Sequence, residues 1–341
     1  MVAIAARLDG FQHRHPAAAF PLAVFYKYFD DSGAYLAALI AYYGFVSLFP
    51  LLLLLATVLG FALSGDPGLQ QQVLHSALHQ FPVVGAQLSD PKRIGGGTMG
   101  LIIGILGSVY GGLGVAQAVQ YAMNTAWTVP RNSRPNPFKA RGRSLVLLGT
   151  AGLAIIGTTV LSTLGGTGAG SFGPILRILA LVASVALNAA VFVFAFRFAT
   201  ARDLSVRDVA PGAVTAAVIW QLLQSFGVVY VAHVVKNASS TNGVFALVLG
   251  MIAFLYLTAV AAVLCVEINV VRVDKLHPRS LLTPFTDNVT LTAGDRRAYS
   301  TQAKAQRMKG FEQVDVHFEQ PDRQADRDTA DDSHDAATDD Q

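Results

Sequence analysis

Charged residues and cysteines are scarce in this chain of 341 residues. Hydrophobic residues make up 52% of it and charged residues only 14%, whereas a soluble domain carries about 25% charged residues. This composition excludes an ordinary soluble globular protein and is typical of a polytopic membrane protein. The single cysteine, Cys265, lies inside an apolar run, which excludes a disulfide framework and a cysteine metal site.

Sequence signatures of catalysis are also missing. The chain has no His-Glu-x-x-His zinc motif, no Gly-x-Ser-x-Gly elbow and no cluster of carboxylates and histidines at metal-ligand spacing. His75 and His79 lie four residues apart in "GLQQQVLHSALHQFP", a predicted amphipathic helix, but no third ligand lies near them. We therefore predict no enzyme activity, no catalytic residue, no metal and no cofactor.

Long apolar runs occupy most of the chain. About 20 apolar residues in a helix cross the hydrocarbon core of a bilayer. Lipid offers no hydrogen bonds, so such a run must form a helix to pair its backbone N–H and C=O groups. The first run begins too late and is too long to be a cleavable signal peptide. The sequence predicts an all-α, six-transmembrane-helix bundle over residues 34–271. Its spans cover residues 34–63, 98–123, 144–164, 174–199, 209–235 and 243–271.

Basic residues are concentrated in alternate short loops between the runs. Lysine and arginine are enriched on the cytoplasmic side of membrane proteins, so both termini are predicted to be cytoplasmic. Topology accounts for these basic residues, and they do not indicate a nucleic-acid partner. They lie between the second and third runs and around the loop after the fourth: Arg131, Arg134, Lys139, Arg141, Arg143, Arg197, Arg202 and Arg207.

The segments on either side of the bundle differ in composition. Residues 1–33 carry Lys27 and two arginines among aromatics and alanines, and two alternatives fit them, an interfacial helix or a solvated tail. Residues 272–341 form a cytoplasmic segment that is polar from about Ser280 onward and acidic towards its end. That composition predicts a mostly disordered C-terminal tail.

Polar residues recur on single faces of several spans, and the stretch "YYGFVSLFP" adds a proline to the first. Pro50 cannot donate to the carbonyl of Val46, so we expect it to kink or break that helix. If the polar faces converge, the bundle holds a polar interior. In the alternative, each amide joins one helix to its neighbour, an effect worth about 0.6–2 kcal/mol. The candidate residues are Tyr43, Ser47, Pro50, Gln117, Asn124, Asn188, Gln221, Gln224, Glu267 and Asn269.

Glu267 is the one acidic residue well inside a predicted span. A carboxylate at membrane depth is a functional candidate, but a structural ion pair with Arg272 or another basic residue fits equally well. The second span is rich in glycine, with Gly107 and Gly111 four residues apart. Such spacing lets helices approach closely, either within the bundle or across a homo-oligomer.

Several blocks of the sequence together resemble the YihY/BrkB family of bacterial inner-membrane proteins. They are "AALIAYYGFVSLFPLLLLLATVLG", a glycine-rich second span ending in "AMNTAW", a basic loop and "TNGVFALVLGMIAFLYLTAVAAVLCVEINVVR". The resemblance covers roughly residues 20–275, and its most specific parts are the Tyr-Tyr…Ser-Leu-Phe-Pro block and the acid-x-Asn at Glu267 and Asn269. Some members of the family once carried a ribonuclease BN label, which is widely regarded as mistaken.

The resemblance implies a multi-pass protein of the bacterial plasma membrane, and links to envelope lipid movement and ion tolerance have been proposed for relatives. We therefore expect envelope transport of a lipid or amphiphile, with membrane lipids as partners and no nucleic acid. The alternative is a membrane scaffold or assembly factor that does not transport, with protein partners that the sequence does not identify.

Overall fold

A computed structural model describes residues 16–62, 97–166, 173–237, 240–281, 283 and 289–318. These residues form helices, a short 3-10 turn and loops, and no strand occurs among them. The described helices are α1 (Pro16–Asp30), α2 (Gly33–Ala62), α3 (Gly97–Ala126), α4 (Pro137–Gly166), α5 (Gly173–Ala199), α6 (Val206–Asn237), α7 (Ser240–Val273) and α8 (Ala293–Ala305).

The six long helices, α2 to α7, coincide with the six predicted spans. Over the described residues, the five from α3 to α7 are long and apolar enough to cross a membrane. The first predicted span is covered by α2, which has 30 residues and an apolar stretch at Gly33–Leu48. At 1.5 Å per residue, a helix of that size is about 45 Å long. The chain is therefore an all-α polytopic membrane protein, as predicted.

The long helices pack in chain order around a closed ring. Each of α2 to α6 contacts the next helix, and α7 returns to α2, so the two ends of the series meet. The outer surface of the ring is strongly apolar on α4 and α5, where Leu153, Ile156, Ile178 and Val182 are exposed. Exposed apolar faces of this kind are stable when they contact lipid.

The described loops gather at one end of the ring, which we call the basic end. It comprises α1, residues 127–136, residues 200–205 and the described residues 274–281, 283 and 289–318. Asn124 at the end of α3 hydrogen-bonds to Ala201, Arg202 pairs with Asp274, and Trp127 lies under the Arg202 guanidinium at 5.1 Å. The fully buried side chains also concentrate there, so this end holds the folded core.

Helix α1 fits the interfacial-helix alternative better than the solvated tail. One side of it is buried, with Ala23, Val24 and Lys27 packed inside, and its main neighbour is α7. The other side exposes Phe25 and Phe29. A helix with a packed inner side and outward aromatic rings suits the boundary between lipid and water.

Pro50 does not break α2; of the two effects expected from this proline, the break is wrong and the kink stays a prediction. The helix continues as one element from Gly33 to Ala62. The proline ring lies directly against Gly107 of α3, where a Cβ atom would come within 2.6 Å of Pro50 Cβ. Gly111 accommodates Ser47 in the same way, so the glycines of the second span serve close packing within the bundle.

The prediction of a disordered tail does not hold for residues 289–318. Helix α8 begins there with a capping box, in which Thr292 and Asp295 bond to each other's backbone amides. The fully buried Arg279 joins this helix to α1, because its Nε lies 2.5 Å from Asp295 and its Nη2 lies 2.9 Å from Asp30. This segment is therefore folded although its composition is polar. The acidic residues 319–341 lie outside the described part.

A methyl group added to α3 tests the close approach of α2 and α3. A Cβ at Gly111 would lie 2.5 Å from Ser47 Cβ and 2.6 Å from Ser47 Cα, so backbone has to move. We expect Gly111→Ala to lower the free energy of unfolding by about 1–3 kcal/mol. The change is measured by thermal unfolding in detergent, with a thiol-reactive fluorophore reporting exposure of the buried Cys265.

The matched control is Gly149→Ala on α4, where a Cβ meets no atom within 4 Å. Alanine is the better helix former by about 1 kcal/mol, so this variant is expected to be neutral or stabilised. Equal losses in the two variants would contradict the packing argument.

Candidate functional site

A cavity of about 350 Å³ opens between α2, α3 and the start of α4. Three predicted site residues, Tyr43, Gln117 and Asn124, line it together. Tyr43 fits against α3 because Gly114 has no side chain; a Cβ there would lie 2.2 Å from the ring. Leu39 and Gln117 are exposed at its edge, so the cavity is accessible from outside the bundle. The volume falls within the range of small-molecule sites, about 300–1,000 Å³.

A cation borders this cavity at the basic end. The Arg134 guanidinium lies 5.4 Å from the centre of the Tyr121 ring, and its Nε donates to the carbonyl of Val129 at 3.2 Å. Burial lowers the pKa of Arg134, while Tyr121 raises it. An arginine remains protonated at neutral pH despite such a shift, so the cavity combines an apolar wall, three amide side chains and a positive charge.

The buried amides of α3 join this helix to its neighbours. Asn124 Oδ1 accepts from the amide of Ala201 at 2.7 Å, and its Nδ2 donates to the carbonyl of Gln120 at 2.7 Å. Gln120 Nε2 in turn donates to Ser144 Oγ at 2.8 Å on α4. Asn124 thus has two functions at once, because it borders the cavity and also fixes the loop after α5.

Asn269 joins α7 to α6 through two hydrogen bonds of its side-chain amide, as Asn124 joins α3 to the loop after α5. Its Oδ1 accepts from the amide of Gly212 at 2.8 Å, and its Nδ2 donates to the carbonyl of Val209 at 3.1 Å. A Cβ at Gly212 would lie 2.0 Å from the carbonyl oxygen of Cys265. Only glycine therefore lets the two helices approach closely enough for the asparagine to reach both groups.

Arg272 of α7 hydrogen-bonds to backbone carbonyl oxygens at the start of α6. Pro211 lies inside α6 and, having no amide hydrogen, leaves the carbonyl of Arg207 without its helical donor. Arg272 Nη2 donates to that carbonyl at 2.6 Å and to the carbonyl of Asp208 at 3.0 Å. Arg272 is therefore not the ion-pair partner of Glu267 that the sequence allowed.

Glu267 pairs instead with Lys27 of α1. Both side chains are buried, and the Lys27 ammonium lies 3.8 Å from Glu267 Oε2. Lys27 also donates to Asp31 and, at 3.0 Å, to the carbonyl of Ala126. Burial alone lowers the pKa of Lys27, but the charges of Glu267 and Asp31 raise it to a value above the usual one. The cluster ties together α1, α3 and α7.

The other predicted residues do not contribute to this cavity. Ser47 and Pro50 pack against the glycines of α3, Glu267 and Asn269 are buried elsewhere, and the residues that line the cavity include none from α5 or α6. The polar faces of Asn188, Gln221 and Gln224 therefore do not converge with Tyr43 and Gln117. Within the described residues no cluster of metal ligands occurs; His75 and His79 lie outside them.

Sequence reasoning missed several residues that build this region. Lys27 and Asp31 were detectable as an i, i+4 pair of opposite charge at the end of a helix. Gln120 was not missed, because the sequence places it on the same face of the second span as Gln117 and Asn124. Arg134 was counted only as part of the basic loop. No local signal pointed to Arg279, whose partners lie on α1 and α8.

The closed ring of apolar helices, with the fully buried charges of the described residues held in paired clusters and polar loops at one end, defines an all-helical integral membrane protein. The family model described as virulence factor BrkB matches residues 24–286. The chain belongs to this family, which confirms the resemblance found in its motifs. Comparison with curated proteins and with solved structures gave no match.

Neutralising Lys27 or Glu267 tests the role of the buried ion cluster. Lys27→Met leaves two buried carboxyl groups without a cation, and breaking a buried pair in this way costs about 3–5 kcal/mol. Glu267→Gln leaves Lys27 bound to Asp31 and to the Ala126 carbonyl, so we expect a loss below about 2 kcal/mol. Unfolding by dodecyl sulfate in mixed micelles measures both changes.

The double variant Lys27→Met/Glu267→Gln supplies the control, because it removes one charge of each sign. It is expected to be more stable than Lys27→Met alone. A larger loss for Glu267→Gln than for Lys27→Met would refute this assignment.

The stability should also depend on pH, because folding raises the pKa of Lys27. The contribution of Lys27 to the free energy of unfolding is complete below about pH 10.4, the ordinary lysine value, and is lost as pH rises through the folded-state pKa.

Proposed function

We propose that this protein moves an amphiphile across or out of the membrane, and that the cavity beside Tyr43 and Gln117 is the binding site. The observation that carries the proposal is a cavity of about 350 Å³ that is open at the side of a membrane bundle and combines polar and apolar walls. Ligand sites are concave, mostly apolar and carry a few placed polar groups. A lipid-like molecule has the same two-part character.

The chemistry of the cavity suits an amphiphile with an anionic or hydrogen-bonding head. Leu39 and the ring of Tyr43 provide apolar contact, Gln117 can donate and accept, and Arg134 supplies a charge at the end nearest the loops. Gln117 makes no hydrogen bond among the described residues, which leaves its amide available for a ligand. The proposed function is transport without catalysis.

A scaffold that does not transport is the second candidate. It is supported by Asn124, Asn269 and Glu267, each of which bonds or pairs with a neighbouring element. Residues used in this way hold helices together and need no substrate to account for them. Under this proposal a surface of the protein binds a partner; Gly107 and Gly111 are not part of a homo-oligomer contact, because they pack against the first span of the same chain.

The orientation of the chain in the plasma membrane also belongs to the proposal. The basic end carries the arginines of residues 127–143 and 197–207, and cytoplasmic loops are enriched in such residues. We place this end in the cytoplasm of a bacterial cell. The transport cavity then opens towards the inner leaflet, since Arg134 lies in the loop at that end.

A matched pair of glutamine variants tests the transport proposal. Protein reconstituted in vesicles is given a fluorescent phosphatidylglycerol, and movement between leaflets is followed by dithionite quenching. Gln117→Leu removes a polar contact in the cavity and is expected to slow protein-dependent movement about fivefold, the effect of one hydrogen bond of about 1 kcal/mol. Gln221→Leu, the same change on α6 away from the cavity, is expected to leave the rate unchanged.

The wild-type protein supplies the decisive comparison with protein-free vesicles. Protein-dependent movement that Gln117→Leu and Gln221→Leu affect equally would contradict the assigned site. If wild-type vesicles quench no faster than protein-free ones, transport of this lipid is excluded and the scaffold proposal is favoured.

Cysteine labelling tests the orientation. In a Cys265→Ala background, Gly310→Cys places a thiol at an exposed position of the C-terminal segment, where a Cβ meets no atom within 4 Å. Ala169→Cys places a thiol in the loop predicted on the opposite side. We expect a membrane-impermeant maleimide to label Ala169→Cys in intact spheroplasts and Gly310→Cys only after permeabilisation. The reverse pattern would overturn the orientation.

A further inference from the structure

A second and larger cavity, of about 780 Å³, lies at the basic end between α4, α5 and residues 200–205. We call it the basic cavity, after the four cations that line it: Lys139, Arg143, Arg197 and Arg202. One acidic residue, Asp203, lines it as well. The transport cavity is a separate space, although Pro135 borders both.

Three of the four cations have no acidic partner in the described part of the chain. Arg202 forms a bidentate pair with Asp274, at 2.9 and 3.1 Å, whereas Lys139, Arg143 and Arg197 form no ion pair there. Arg197 is held in place because its Nε donates to the carbonyl of Leu204 at 2.7 Å. Three cations that outnumber the one acidic residue of the cavity attract an anion.

Arg143 gives the most specific sign of a missing ligand. Its guanidinium lies 5.8 Å from the centre of the Phe198 ring, and its Nη1 is buried without a hydrogen-bond partner in the described structure. A buried charged donor left unpaired is costly. A planar guanidinium is suited to bidentate binding of carboxylate and phosphate groups.

The position of these cations matches the boundary between lipid and water. Arg143 lies six residues from the start of α4, which is about 9 Å along a helix, and Arg197 lies in the last turn of α5. Phe194 forms an apolar part of the wall, and above it α5 exposes Val182 and Ile178. A lipid whose acyl chain lies along α5 would therefore place its headgroup in the basic cavity.

We propose that the basic cavity binds the phosphate group of an anionic phospholipid. Basic pockets between membrane helices on the cytoplasmic side bind such headgroups. A free phosphate ion shares the chemistry of the head but gains nothing from the apolar wall. This site does not depend on the proposed transport, because it uses a different cavity and requires only binding.

Lipid titration of the full chain in neutral detergent tests the site. The probes are short-chain phosphatidylglycerol, phosphatidylcholine of the same chain length and inorganic phosphate, with bound molecules counted by native mass spectrometry. We expect phosphatidylglycerol to bind more tightly than either of the others. A basic residue near a membrane surface contributes about 1 kcal/mol, so Arg143→Gln and Lys139→Gln are each expected to weaken its binding about fivefold.

Arg141→Gln is the matched control. Arg141 lies two residues from Arg143 on the same helix, is exposed and does not line the cavity, so its loss is expected to leave affinity unchanged. Lys139 is exposed, so its substitution is expected to leave the fold intact and keeps the test valid if Arg143→Gln proves unstable. Arg143→Lys keeps the charge but loses the planar fork, and an intermediate affinity is expected.

Three outcomes would overturn the proposal. Inorganic phosphate that binds as tightly as phosphatidylglycerol would identify a free-anion site. Phosphatidylcholine that binds equally would show that charge is not recognised. Equal effects of Arg141→Gln, Arg143→Gln and Lys139→Gln would show that the lipid senses only the overall charge of the basic end. If wild-type vesicles show no transport but the protein still binds phosphatidylglycerol as expected, the transport proposal is rejected and the lipid site is retained.

Discussion

The rest of this structure depends on the interactions of one buried charge, the Lys27 ammonium. A lysine can be buried only where carboxylates or carbonyls surround it, and here those groups come from separate parts of the chain: Asp31, Glu267 and the end of α3. Each of them therefore has to be at its place for the others to be stable. The N-terminal helix, the second span and the last span are fixed relative to one another by this one charge.

Polar groups elsewhere in the bundle follow the same rule, because lipid offers no hydrogen bonds. Asn269 and Arg272 bind the backbone of α6 around Pro211, where the helix lacks a donor. Asn124 binds the loop beyond α5. At the two cavities, Gln117 and Arg143 present polar atoms that no described neighbour uses, and these atoms are available to a ligand.

The sequence predicted the long helices well, because each must contain an uninterrupted apolar run to cross a bilayer. It predicted the polar faces of the second and sixth spans, since helical periodicity puts Gln117 and Asn124 on one side. It did not predict which faces meet, because the packing order of helices is a long-range property. Composition also failed for the C-terminal segment, where a few pairs such as Arg279 with Asp295 give order to residues that are polar on average.

The order of helices in the ring has a consequence for biosynthesis. Consecutive helices are neighbours, so each newly inserted helix can pack against the one before it while the chain is still being made. Helix α7 differs, because it contacts α1, α2 and α3 as well as α6. Until α7 enters the membrane, Lys27 lacks Glu267 and the ring has an open seam between its first and last members. Insertion of the last helix is therefore the step that commits the whole bundle, and a nascent chain that stops before it lacks the closing contacts.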